Sequence, residues 1–466
     1  VSHFDFFLSP VQHIISILIF FLTLIFSASL VQSRRSPGAA LAWLLVIALM
    51  PYVGIPLYFL LGGRKIRRAA SFKENLYSPR DKVTIPKELS TIEKILLSAG
   101  VPDRTTDNHI SLISDGVVAY ETILKIIDKA KESIYVETFI LGKDQVGKSI
   151  LKALSRKAEE GVEVYLMMDA LGSFWANRKA LREFRKAGGK LASFMPLLHI
   201  PFRGRSNLRD HRKVIVVDHR LAFVGGMNLA DEYMGAQPDP TRWVDLALLI
   251  AGSSIPHIED VFKSDWEFAT NHVIPPSVYP SDETTQVETE VSAQIVASGP
   301  DVPQDSLYDA ILSGIYDAKE RVWIATPYFV PDESLARALE LACRRGVDVR
   351  ILIPARSNHL LADFSRGSYI RQIEAAGAQI YRYPKMLHAK ANILDNSCVI
   401  VGSANMDLRS LFLNYEICVF IYSISTIDAV ENWFNTAFRQ SARGYTPLHF
   451  GIKTLEGIGR ILSPML

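Results

Sequence analysis

Cysteine is scarce in this chain. Cys343, Cys398 and Cys418 are the only three, none belongs to a CxxC pair, and each has apolar neighbours. That argues against a disulfide framework and against a zinc cluster, and reads as buried small hydrophobes in a reducing, cytoplasmic setting. Net charge is nearly missing too, at a formal +2. A chain built to hold nucleic acid concentrates basic charge to neutralise phosphates, so no nucleic-acid partner is expected.

From Val11 to Leu30 charge is missing altogether. About 20 such residues cross ~30 Å of hydrocarbon, so this run predicts a membrane span. A second uncharged run, Ala39 to Leu61, contains Pro51, Gly54 and Pro56 and is expected to be kinked or partly re-entrant. A cleaved signal peptide is disfavoured, because the residues before the first run carry Asp5 and neither Lys nor Arg. Arg34 and Arg35 lie between the runs, and Arg64, Lys65, Arg67, Arg68 and Lys73 follow the second. The richer basic flank places the remainder of the chain in the cytoplasm.

That remainder contains one pattern twice. Ile127–Glu132 leads into IYVETFIL as Ile315–Glu320 leads into VWIATPYFV. RKAEEGVEVYLMMDA at Arg156–Ala170 parallels LACRRGVDVRILIPA at Leu341–Ala355, and Leu181–Leu191 parallels Ile370–Ile380. Helices alternating with apolar strands predict two α/β halves about a pseudo-twofold interface. The expected divisions are a helical hairpin at 1–70, a linker at 71–108, halves at 109–280 and 281–450, and a tail at 451–466. Pro275–Val291, rich in Pro, Ser, Thr and acids, has a joining segment's composition.

Each half carries H-x-K-(x4)-D-(x6)-G-x-x-N. The residues are His211, Lys213, Asp218, Gly225 and Asn228, then His388, Lys390, Asp395, Gly402 and Asn405. His and Lys two apart on a strand project from one face. The lysine suits the non-bridging oxygens of a phosphate diester, while the histidine serves as nucleophile or proton donor. Asn228 and Asn405 can offer amide N–H groups to the same oxygens. One such half-site is most simply a solvated His beside a Lys. Two at identical spacing fit a two-step displacement, which needs histidines in different roles.

The paired motif resembles the phospholipase D superfamily over nearly everything after Asn108, and more narrowly the bacterial cardiolipin synthases. The hairpin sequence RRSPGAALAWLLVIALMPYVGIPLYFLLGG, the segment ATPYFVPDESL at Ala325–Leu335 with SGPD at Ser298–Asp301, and the ending GRILSPML carry the narrower likeness. The resemblance implies transfer of a phosphatidyl group between two phosphatidylglycerol molecules, giving cardiolipin and glycerol at a bacterial inner membrane, without a metal or other cofactor. It implies His211 as nucleophile, His388 as acid and base, and Asp245 and Glu416 as carboxylates behind the rings. Asp218 and Asp395 complete the catalytic motifs, with structural roles favoured for them.

His219 should point away from the motif face and is read as a surface residue; His199, His257, His272, His359 and His449 lack any motif context. Leu191–Arg205 mixes apolar and basic residues, either as a packed loop or as an interfacial contact; the tail's spaced apolar residues suit docking onto the protein ahead of contact with the membrane surface. Motifs alone leave the acceptor open to water or another alcohol. A nuclease is disfavoured by the anchor and the charge, and a non-catalytic scaffold by two intact motifs.

Overall fold

The repeat in the sequence becomes a repeat of strand order. A computed structural model of the chain describes residues 17, 20–25, 28, 37–55, 73–79, 86, 88–195, 208–277, 279, 291–302 and 304–445. Those up to Ile55 belong to one unit and those from Lys73 onward to another. In the larger unit the first half contributes β1 (Thr105–Ile113), β2 (Ser133–Thr138), β3 (Glu163–Asp169), β4 (Lys190–Phe194), β5 (Val214–Val217), β6 (Leu221–Gly225) and β7 (Ala247–Gly252). The second contributes β8 (Val291–Ser298), β9 (Arg321–Ala325), β10 (Phe329–Val330), β11 (Asp348–Pro354), β12 (Gln379–Tyr383), β13 (Ala391–Leu394), β14 (Cys398–Gly402), β15 (Met406–Asp407), β16 (Glu416–Ile421) and β17 (Ala442–Arg443).

Across the sheet the first half runs 1-7-6-5-2-3-4 and the second 8-16-14-13-9-11-12, with β17 added beyond β12. The halves join where β1 meets β8 antiparallel, Thr105 opposite Ala293. In each half three strands are parallel, β2, β3 and β4 or β9, β11 and β12. Parallel neighbours need crossovers, and helices supply them: Gln145–Glu159 and Arg178–Lys186, then Glu333–Arg344 and Leu360–Ala375. Asp144, Asn177 and Asp332 start three of these helices by accepting backbone N–H bonds. All of β2 is buried, as are the last four residues of β9, which read as an unbroken apolar run.

β5 runs antiparallel to β2, and β13 to β9. The residues just before β5 and β13, His211 and His388, therefore lie at the edge where β2 and β9 end. Each motif aspartate lies at the other end, four strand residues away. Asp218 accepts from the backbone N–H groups of Lys131, Glu132 and Ser133, and Asp395 from those of Lys319, Glu320 and Arg321. Both have positive φ, 50° and 52°, which Asp tolerates better than most residues. Their grouping with the catalytic residues is thus corrected: they fasten the turn after β5 or β13 to the start of β2 or β9. Asp218→Ala should lower unfolding stability by about 1–2 kcal/mol in denaturant titration, with transfer activity largely kept and Asp218→Asn milder.

The stretch 71–108, expected as a linker, carries structure of its own. Ser90 and Glu93 form a capping box for a helix at Thr91–Ser98 that buries Ile92, Leu96 and Leu97. The buried Tyr77 hydroxyl accepts from Ala297 N–H at 3.0 Å, and β1 begins at Thr105. Most of Pro275–Val291, the segment 196–205 and the tail 451–466 lie outside the described residues.

In the N-terminal unit Pro37–Leu49 is helical, and a further helical turn follows from Pro51. The break falls just before the proline, whose ring disfavours helix at the preceding residue. Thirteen residues rise about 20 Å, short of the ~30 Å of a bilayer core. Among the described residues no helix is long and apolar enough to cross a membrane. Of the first apolar run, residues 17, 20–25 and 28 are described, all helical.

Candidate active site

The motif segments of the two halves are sewn to each other by backbone. His211 N–H donates to the Tyr415 carbonyl at 2.9 Å, and Tyr415 N–H donates to Arg209. In the same way His388 N–H donates to Val244 at 2.7 Å, and Val244 N–H donates to Met386. The residue after Tyr415 is Glu416, and the residue after Val244 is Asp245. Each histidine therefore meets the carboxylate of the other half: His211 Nδ1 lies 3.1 Å from Glu416 Oε2, and His388 Nδ1 lies 2.6 Å from Asp245 Oδ2. Both carboxylates were expected behind the rings; the crossing is what the structure adds.

The lysines are placed alike. Lys213 Nζ donates to the His211 carbonyl at 2.5 Å, and Lys390 Nζ donates to the His388 carbonyl. Lys390 Nζ also lies 2.7 Å from Nδ1 of His388. That nitrogen cannot both accept from Lys390 and donate to Asp245; its hydrogen bond is the shorter contact, to the carboxylate. The rings are held by aromatic neighbours, Phe139 beside His211 and Tyr233 and Trp243 beside His388.

The motif glycines have a steric reason. A methyl on Gly225 would meet the Leu246 carbonyl at 2.5 Å, and one on Gly402 the Ile417 carbonyl at 2.4 Å. One position on, the halves differ. Ser403 donates its hydroxyl to Glu416, whereas a Cβ on the equivalent Gly226 would strike Asp245 Oδ1 at 2.3 Å. The motif asparagines are both buried, and Asn228 Oδ1 accepts from Ile140 N–H of its own half.

Burial sets the charge state. It pushes the His211 imidazole down to about 4, with Glu416 opposing, and takes His388 well below its usual range, aided by Lys390 and Lys213. Burial also brings Lys213 down to about 7 and Lys390 to about 8, and raises Asp245 to about 7. Two neutral rings beside two weakly held ammonium protons form a pocket that an anion would charge: a bound diester would raise all four bases. The chemistry this favours is nucleophilic attack by one unprotonated imidazole on an anionic phosphorus ester.

The comparisons with known proteins agree. A family model described as cardiolipin synthase, PLD-like domain matches residues 123–266 and again 311–438, and one described as phospholipase D-nuclease N-terminal matches residues 17–63. The major cardiolipin synthase of Bacillus subtilis is 33% identical over 93% of this chain and 95% of its own length. A cardiolipin synthase of Clostridium perfringens is 34% identical with the same coverage.

The chain belongs to the cardiolipin synthase family. In fold it also matches the solved phosphatidylserine synthase of Haemophilus influenzae, with a TM-score of 0.62 over 81% of this chain and 100% of that one, at 15% identity.

Behind the first motif of this family member lies a charged network that sequence reading missed. Arg212, fully buried, pairs with Asp265 and donates to the Glu416 and Ser298 carbonyls at 3.1 and 3.2 Å. Lys73 pairs with the same Asp265 and, at 2.6 Å, with Asp301. Lys73 was counted among the basic residues flanking the second apolar run; buried in these ion pairs, its charge is spent inside the larger unit. Asp210, pushed up to about 7 by burial and by Asp265, and the buried Glu137, raised by burial and by Asp210, lie beside the network. The available signal was asymmetry: Asp210 and Arg212 flank the first histidine where Leu387 and Ala389 flank the second. His219 is corrected as well. It is largely buried, with Nδ1 2.6 Å from Glu259 Oε1.

Proposed function

We propose that this chain transfers a phosphatidyl group from one phosphatidylglycerol to another, releasing glycerol and forming cardiolipin. The crossed pairs His211–Glu416 and His388–Asp245, with Lys213 and Lys390 beside them, carry the reading. A carboxylate on Nδ1 fixes each ring so that Nε2 faces the reacting group.

In the first step Nε2 of His211 attacks phosphorus, the bond to the glycerol oxygen breaks, and His388 protonates that oxygen. A phosphatidyl-histidine remains. In the second, His388 removes the proton from a hydroxyl of the next phosphatidylglycerol; its oxygen attacks phosphorus and His211 departs. Lys213 and Lys390 hold the non-bridging oxygens. Two differences support this order. His211 keeps 12% of its side-chain surface exposed against 4% for His388. Asp245, raised by burial to near neutrality, shares a proton with His388 readily, as an acid and base must.

The apolar N-terminus is proposed to hold the enzyme in a bacterial cytoplasmic membrane with the larger unit in the cytoplasm. Phe20, Phe21, Leu24, Ile25, Leu41, Leu45 and Leu49 expose large apolar surface, which water disfavours. Arg64, Lys65, Arg67 and Arg68 give the cytoplasmic flank.

The test is a product analysis. Purified full-length protein incubated with phosphatidylglycerol vesicles and a chelator should yield cardiolipin and glycerol in equal amounts. Phosphatidic acid as the only lipid product would replace transfer by hydrolysis.

A further inference from the structure

The sheet edge that bears both histidines also bears two apolar loops. β3 runs parallel to β2 and β11 parallel to β9, so both end at the edge where His211 and His388 lie. After β3 the chain exposes Leu171, Phe174 and Trp175, the last 77% exposed. After β11, the corresponding strand of the other half, a short loop and the start of the helix Leu360–Ala375, together the second loop, expose Leu360, Leu361 and Phe364, with Leu360 74% exposed. The remaining large exposed apolar residues among those described in this unit, Val118, Val273, Tyr316 and Ile424, stand singly. Scattered single residues of that kind need no explanation, but two clusters at equivalent places do.

The first loop is fixed to the active site. Asp169 accepts from Leu171 and Gly172 N–H at 2.8 and 2.9 Å, and also from Asp210 N–H, next to His211, at 3.1 Å. Ser173 donates to the carbonyl of Phe139, the residue that packs on the His211 ring. The second loop is held by Tyr328, which donates to Asn358 at 2.6 Å, and by Asp363, which accepts from Ser357 N–H at 2.9 Å. The apolar side chains thus stand outward on frames tied to the site.

We propose that these two loops form a paired docking rim that rests on an anionic phospholipid surface, with the catalytic pair opening between them. The charge beside them selects that occupant. Arg178, Lys179 and Arg182 are exposed just after the first loop and Arg356 within the second, so apolar contact comes with attraction to acidic headgroups. An indole at the water–lipid boundary suits its apolar ring and polar N–H. Placement on both sides of the site levels it against a flat surface, where a diester headgroup presents itself. The proposal rests on the phosphatidyl-transfer reading only for its purpose; the contact can be measured without turnover.

Full-length protein is reconstituted in phosphatidylglycerol-containing vesicles with and without acyl-brominated lipid, and its tryptophan emission is compared with that of the Trp175→Phe variant. The emission lost in the variant, Trp175's own, should be strongly quenched by the brominated lipid. Equal Trp175 emission with and without bromine would overturn the rim, whatever the enzyme's products prove to be. The Trp175→Ser, Leu360→Ser pair should also raise the apparent KM for long-chain phosphatidylglycerol in mixed micelles by roughly fivefold, with little change in kcat. A kcat loss at constant KM would instead give these residues a role inside the site and refute docking.

Discussion

Replacing either motif histidine by alanine will lower transfer by about a thousandfold or more, because each ring carries a proton or a covalent bond in both steps. The buried, neutral His211 is ready to attack without first losing a proton. His388 has to gain one, and the arriving diester anion together with Asp245 supplies the field that favours it. The two losses can be told apart with a phosphatidyl ester whose leaving group needs no acid, such as a nitrophenolate. His388→Ala should still release a burst of nitrophenolate and trap the phosphoenzyme; His211→Ala should do neither. The opposite result would exchange the two roles. Full transfer activity in either variant would overturn the two-histidine mechanism itself.

Much of this site was legible in the chain, and the reason is periodicity. His211 and Lys213, like His388 and Lys390, are two apart at a strand's start, so their common face follows from strand geometry alone. The paired helices and strands likewise fixed the α/β halves, since repeated local patterns produce the same strand order twice. What resisted reading was every contact made at long range. Lys73 reaches Asp265 and Asp301 across 192 and 228 residues, and no spacing rule connects a lysine after an apolar run to acids in the body of the enzyme. The structural role favoured for Asp218 and Asp395 lacked a location for a related reason. Motif membership reports that a residue matters, but only the strand between Lys213 and Asp218 shows that it matters at the far end.

The same limit hid the crossing of the carboxylates, and the crossing has a sharp kinetic consequence. Asp245 and Glu416 each follow their own half's motif, so adjacency in sequence pairs Glu416 with His388 and Asp245 with His211. The structure pairs them the other way. Glu416→Gln and Asp245→Asn keep shape and some hydrogen bonding but remove the charge that fixes the Nδ1–H tautomer and stabilises the imidazolium. Each should lower kcat by about 10²–10⁴-fold with KM little changed. With the nitrophenyl ester the two should then separate. Glu416→Gln should behave as His211→Ala does and lose the burst, whereas Asp245→Asn should keep it and stall afterwards. Adding Glu416→Gln to His211→Ala should cost little more than His211→Ala alone, since a carboxylate acting only through a ring has nothing left to act on. If Glu416→Gln instead keeps the burst while Asp245→Asn abolishes it, each carboxylate serves its own half. In that case the halves would be two sites placed side by side. The crossed bonds make them one, because neither histidine is oriented until both halves have folded against each other.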